Sequence, residues 1–153
     1  MLYMGIYASI FSIIFLCYNH EKYRIVMQLN THLNINTSLC GKVTKLEKNY
    51  AEVLLHTTQY MVADAQGLVH GGFLFGAADY AAMSAVNDPY VVLAASNSKF
   101  IVPVKVGDVV LCKALVKSEK GKKRVVEVQA YVEDKLVFES DFTTFVLETH
   151  VLG

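Results

Sequence analysis

His70-Gly71-Gly72 and, nine residues after the histidine, Asp79 stand in the stretch VHGGFLFGAADYAAMSAVN, where Asp79 is the one charged side chain. A carboxylate among apolar neighbours costs several kcal/mol unless it is satisfied, protonated or used. A structural Asp, bonded across a subunit contact or placed at a solvent-reaching edge, is the plain alternative. At a helix start the first amides lack intrahelical acceptors and sit at the positive end of the dipole. Gly71 and Gly72, with no Cβ, would let a carbonyl oxygen approach those amides, which is the chemistry of oxyanion stabilisation. Asp79 would then supply the base or the nucleophile. Eight residues beyond Gly71, at about 1.5 Å per residue, it lies ~12 Å along the axis and cannot serve its own helix end. Two such helices packed antiparallel about a two-fold axis would bring Asp79 of each to the His70-Gly71-Gly72 of the other.

The elements that must hold these residues are legible around them. GKVTKLEKN and YAEVLLHTT read as two strands with a turn near Asn49. A helix begins after AQGLVH and stops at Asn87-Asp88-Pro89, because proline has no amide donor and biases the residue before it away from helical geometry. Four strand-like runs follow, VVLAASNSKFIVP, DVVLCKALVKSEK, KRVVEVQAYVED and LVFESDFTTFVLE. In the third, Val126, Val128, Ala130 and Val132 alternate with Glu127, Gln129, Tyr131 and Glu133, the period of a strand with one wet face. Four strands in series imply an antiparallel meander with the helix on its apolar face. Apolar residues lie all around that helix, so the sheet is expected to curl around it, with the alanines and Gly76 allowing close approach.

These residues resemble a known family. His70-Gly71-Gly72 with Asp79, followed by Asn97-x-x-Phe100-x-x-Pro103-x-x-x-Gly107-Asp108, is similar to the hot-dog-fold acyl-CoA thioesterases of the phenylacetyl-CoA thioesterase type, over roughly residues 40 to 148. The resemblance implies an α+β hot-dog fold, an antiparallel sheet wrapped around one long central helix, in a homodimer or a tetramer of dimers. It implies hydrolysis of a CoA thioester with no cofactor beyond the CoA of the substrate. Gly71 and Gly72 would polarise the carbonyl, His70 would shape the loop and help hold the thioester, and Asp79 would act as base or nucleophile. Gly67 matches the family's loop. The Asn often found six residues before the His is Asp64 here, and a position that carries Ser or Thr in some members is Leu93. For the substrate, Gly67, Asp64 and Asn97 are candidates near the thioester. Lys99, Lys122, Lys123 and Arg124, with Lys105 and Lys120, are candidates for the CoA phosphates, against the alternative of a solvated turn. Cys112 and Ser96 read as a packed strand residue and a backbone-bonded hydroxyl.

Two other functions fit the same fold. One is a non-hydrolytic acyl-CoA or acyl-carrier-protein sensor, since the chain also resembles the ligand domain of a malonyl-CoA-responsive repressor. Asp79 favours the enzyme, and the lack of a helix-turn-helix segment before residue 38 disfavours a stand-alone repressor. A hot-dog hydratase or dehydratase is weaker, because His70 before Gly-Gly matches the thioesterase loop.

Composition narrows the field further. The 153 residues are 54% hydrophobic with zero formal net charge, which suits one domain and gives no general attraction for nucleic acid. Cys17, Cys40 and Cys112 and the five histidines show no metal-ligand spacing, and scattered cysteines suit a reducing, cytoplasmic setting. Residues 1–26 hold the uncharged run MLYMGIYASIFSIIFLCY. We read them as an apolar extension ahead of a true start at Met27, with the domain over 27–153. A packed extension and a membrane anchor are the alternatives, and Lys22 and Arg24 would keep an anchored domain on the cytoplasmic side.

Overall fold

Alternation builds the sheet. In Tyr50–His56 (β2), Ala51, Val53 and Leu55 are buried while the residues between them face outward, the two-residue period of a strand covered on one side. Lys42–Glu47 (β1) pairs with it across a turn in which Asn49 adopts a φ of 62°, a left-handed conformation asparagine tolerates. The computed structural model describes residues 27–153, so the readings of residues 1–26 as an extension, an anchor or a stretch before the start lie outside the described residues. A single helical turn, Thr37–Cys40 (α1), precedes β1. The central helix, Gly71–Val86 (α2), stops at Asn87, whose φ of 54° and amide bond to the Met83 carbonyl close the last turn. The Asn87 side chain also pins the chain ahead of α1, accepting from Asn30 N–H at 2.7 Å and donating to the Gln28 carbonyl at 2.9 Å.

Val91–Phe100 (β3), Val109–Lys120 (β4), Lys123–Val132 (β5) and Lys135–Val146 (β6) complete a six-stranded antiparallel sheet of order β1-β2-β4-β5-β6-β3. The expected four-strand meander holds for β4, β5 and β6 only. β3 pairs with β6 at the far edge, and β2 takes the place beside β4. The cause is the link 101–108, which does not turn back as a hairpin but runs past the start of α2. There Val69 N–H donates to the Val104 carbonyl and Val106 N–H to the Gly67 carbonyl, each at 2.9 Å. The same bonds fasten the loop that leads into His70.

The sheet wraps α2, which touches all six strands, and this is the hot-dog arrangement. Ala77, Ala78, Ala81 and Ala82 are wholly buried, and the Phe75 ring packs 5.5 Å from that of Phe142. Alanine rather than Gly76 allows the close approach within the chain, since a Cβ on Gly76 would meet nothing within 4 Å. Ala81→Leu is therefore expected to destabilise the fold by about 1–3 kcal/mol through overpacking, read as a lower urea midpoint at unchanged slope. No helix among the described residues is long and apolar enough to cross a membrane.

Candidate functional site

His70 caps α2 with its own ring. Its backbone is extended, φ −62° and ψ 128°, and its Nδ1 accepts from the Gly72 N–H at 3.0 Å. An Nδ1 that accepts places the proton of the neutral ring on Nε2, leaving Nε2–H as a donor on an exposed side chain. The backbone N–H of His70 donates to the Met61 carbonyl at 2.8 Å, which fixes the ring's attachment point.

The two glycines have local reasons of their own. A Cβ on Gly72 would lie 2.8 Å from His70 Nδ1, so a side chain there would collide with the cap. A Cβ on Gly71 would lie 2.9 Å from the ring of Phe100, which covers this spot while remaining 57% exposed. The Gly72 amide is thus already engaged by His70. The Gly71 amide, at the first helical position, donates to no acceptor among the described residues. Of the two donors assigned to a carbonyl oxygen from the sequence, one is committed to the cap and one is open.

Asp64 and Gly67 shape the preceding loop. Asp64 Oδ1 accepts from the amides of Gln66 at 2.9 Å and Leu68 at 3.1 Å, and Gly67 takes a φ of 83° that favours glycine. Leu93 packs against the core.

Asp79 sits two turns further along α2. Burial pushes its carboxyl up to about 6, and its Oδ1 is buried without a hydrogen-bond partner. Sequence reasoning missed its neighbour Cys40, whose thiol is pushed up by burial and by the charge of Asp79. Packing of α1 on α2 brings the thiol within the field of a residue 39 positions away, and no local pattern announces it. Cys112 is wholly buried in β4, its thiol pushed up to about 12, as a packed strand cysteine should be.

Because the folded state holds Asp79 protonated to higher pH than an unfolded chain does, it binds the extra proton between about pH 4 and pH 6. Stability therefore falls as pH rises through that window, and the ionised form costs on the order of 2–3 kcal/mol above it. Asp79→Asn is expected to flatten that slope and to raise the melting temperature at pH 7, measured by thermal unfolding across pH 4 to 8.

The remaining sequence candidates lie elsewhere. Asn97 and Lys99 alternate with Ser98 and Phe100, which face the helix side, and so project from the outer face of the sheet. There Lys99 Nζ is 2.8 Å from Glu139. Lys122 pairs with Glu148 at 2.7 Å and Arg124 with Glu119 at 3.2 Å, while Lys123 is exposed. Their hairpin adjoins Phe145 and Val146, next to the start of β3, whereas Phe100 at its other end rests on Gly71. The length of β3, about 30 Å, separates the two. Within one chain the structure gathers His70, Gly71, Gly72, Asp64 and Gly67 at one end of α2 and leaves Asp79 and the basic hairpin apart from them.

Comparison with known proteins agrees with this fold. The model of the thioesterase superfamily matches residues 66–139. Among solved structures, the protein PH1136 of Pyrococcus horikoshii is 48% identical, with a TM-score of 0.83 over 84% of this chain and 99% of that one. The phenylacetic acid degradation protein PaaI of Thermus thermophilus is 28% identical, with a TM-score of 0.66 over 71% of this chain and 95% of that one. Among curated proteins, a methylthioribose-1-phosphate isomerase of Aquifex aeolicus is 55% identical over 79% of this chain but only 26% of its own length. The transcription factor FapR of Oceanobacillus iheyensis is 34% identical over 69% of this chain and 56% of its own length. The chain thus spans a quarter to a little over half of these two curated relatives.

Proposed function

The chain belongs to the thioesterase superfamily, and from that membership we propose that it hydrolyses an acyl-CoA thioester to free acid and CoA, at a site shared by two copies. The observation that carries this reading is Asp79, a carboxyl held near pKa 6 with an unpartnered buried oxygen, on the helix whose first amide is open. The Gly71 N–H, with the Nε2–H of His70, would donate to the thioester oxygen as negative charge builds there. Asp79 of the other copy would take a proton from the attacking water as its oxygen bonds to the carbonyl carbon. Collapse of the tetrahedral adduct breaks the carbon–sulfur bond, and the proton leaves with the thiol. CoA enters as part of the substrate and no further cofactor is required.

Support for a shared site comes from what one copy leaves open. β3 is an edge strand with Ala94–Asn97 exposed, a surface that a second β3 would pair. Gly72, Gly76 and Asp79 follow helical spacing along one face of α2, where Gly72 is exposed and Gly76 has open space. An antiparallel partner would also carry its Lys122–Arg124 hairpin toward this copy's His70 end, within reach of CoA phosphates. Free thiols at Cys40 and Cys112 fit a cytoplasmic setting.

Likeness to FapR favours a second reading, an acyl-CoA sensor without turnover. Thiol release from short, long and aromatic acyl-CoAs separates the two. Turnover on at least one of them is expected, whereas saturable binding with no thiol released would leave the sensor.

A further inference from the structure

Phe100 is a large aromatic side chain that the fold holds at the surface. Its ring packs edge-on against Phe138, with centroids 5.0 Å apart and planes inclined at 66°, and Phe138 is wholly buried. Phe100 itself stays 57% exposed, so the ring is anchored without being covered. Beyond the sheet the ring meets α2: its Cε1, Cδ1 and Cζ lie 2.9, 3.3 and 3.4 Å from where a Cβ of Gly71 would stand. Cα–Cβ bonds in a helix tilt toward its N-terminus, so a ring in that place flanks the N-terminal rim of α2. The open Gly71 N–H points out of the same rim. Ile101, the next residue, and Leu68, two residues before His70, are exposed as well. Apolar surface gathered at the mouth of a site calls for an apolar occupant. We propose that Phe100 is a specificity-determining residue, the wall against which the acyl chain of a CoA thioester lies, and that it selects apolar acyl groups. The inference rests on the thioester site proposed above and names what that site accepts.

A thioester oxygen about 2.9 Å from the Gly71 nitrogen sets its carbonyl carbon about 4 Å from that nitrogen, beside the ring. Two chains leave that carbon, the acyl group and, through sulfur, the pantetheine arm. The arm carries amides, whose N–H and C=O groups would lose water against an aromatic ring and gain no bond there. A methylene chain loses nothing on the same surface and gains by leaving water. The ring therefore suits the acyl side. A second carboxylate on the acyl group, as in malonyl-CoA, would be stripped of water beside a ring that offers it no bond, so dicarboxylic acyl groups are disfavoured. Gly71 takes part in the selection, because Phe100 can lie this close to α2 only where the helix carries no Cβ.

Thiol release from acetyl-, butyryl-, hexanoyl-, octanoyl- and malonyl-CoA tests this, compared between the wild type, Phe100→Ala and Phe100→Leu. In the wild type kcat/KM should climb with chain length and be lower for malonyl-CoA than for butyryl-CoA. Phe100→Ala is expected to cut the octanoyl-to-acetyl ratio of kcat/KM by about 10–30-fold, through KM, as one apolar wall is withdrawn. Phe100→Leu, which keeps an apolar side chain over Phe138, should cut it by about threefold and is the variant to read if Phe100→Ala unfolds. Binding of the hexyl and ethyl thioethers of CoA gives a corresponding ratio without hydrolysis, so a protein that releases no thiol still tests the wall. A ratio unchanged in both variants, by rate and by binding, would overturn the proposal, as would malonyl-CoA turning over faster than butyryl-CoA. A wild type that releases no thiol, with a thioether ratio that falls in Phe100→Ala, would keep the wall and remove the hydrolase.

Discussion

Asp79→Asn is expected to lower kcat/KM for thioester hydrolysis by about 10³-fold while acyl-CoA binding stays within a fewfold of the wild type. The size follows from the part assigned to the carboxylate: a positioned base contributes about 10²–10⁴-fold, and an amide of the same shape takes no proton from water. The pH profile gives the effect its signature. With its carboxyl at about 6, the wild type is expected to lose activity below that pH as Asp79 becomes protonated. The residual rate of the variant should lack that limb. The same substitution is expected to stabilise the fold at neutral pH, since it removes a buried charge whose Oδ1 has no partner. Gain in stability with loss of rate marks a group retained for chemistry.

Gly71→Pro is the second large effect, an expected loss of about 10²–10³-fold in kcat, the usual cost of removing one oxyanion donor. Proline has no N–H, and the first helical position is where a helix accepts it. The residue before it must be extended, and His70 already is, at φ −62° and ψ 128°. The ring of Phe100, 2.9 Å from the new Cβ, has to move aside, and its exposure allows that. Gly71→Ala pushes the same ring and keeps the amide, so the ratio of the two variants isolates the donor. A smaller loss in Gly71→Pro than in Gly71→Ala would show that the amide does not meet the carbonyl.

The helix and the strands were legible because each rests on a local signal: a mixed apolar and polar run beside the Asn49 turn for β1 and β2, alternation in β5, and Asn87-Asp88-Pro89 after α2. The place of β3 was not. Pairing with β6 depends on where the link 101–108 crosses the end of α2, and that path is set by bonds to the 67–69 loop, which no local pattern encodes. At the site, the positions of His70, Gly71 and Asp79 along one helix could be read from their spacing. The commitment of the Gly72 amide to His70 could not, because it depends on the rotamer of one ring. Asn97 and Lys99 show the same limit. Their place in and beside the Asn97-x-x-Phe100 motif suggested a ligand, but strand parity sends both to the outer face, and parity follows from a register that has an irregularity between Leu93 and Ala95.

The most direct test of a thioester hydrolase with a shared site is thiol release by Asp79→Asn and Gly71→Pro chains produced together. Each variant alone should be nearly inactive. A mixed pair has one site with both defects and one with neither, so random pairing should restore roughly a quarter of the wild-type rate. A mixture no more active than the better variant alone would contradict the account, because Asp79 and the Gly71 amide would then not meet across two copies.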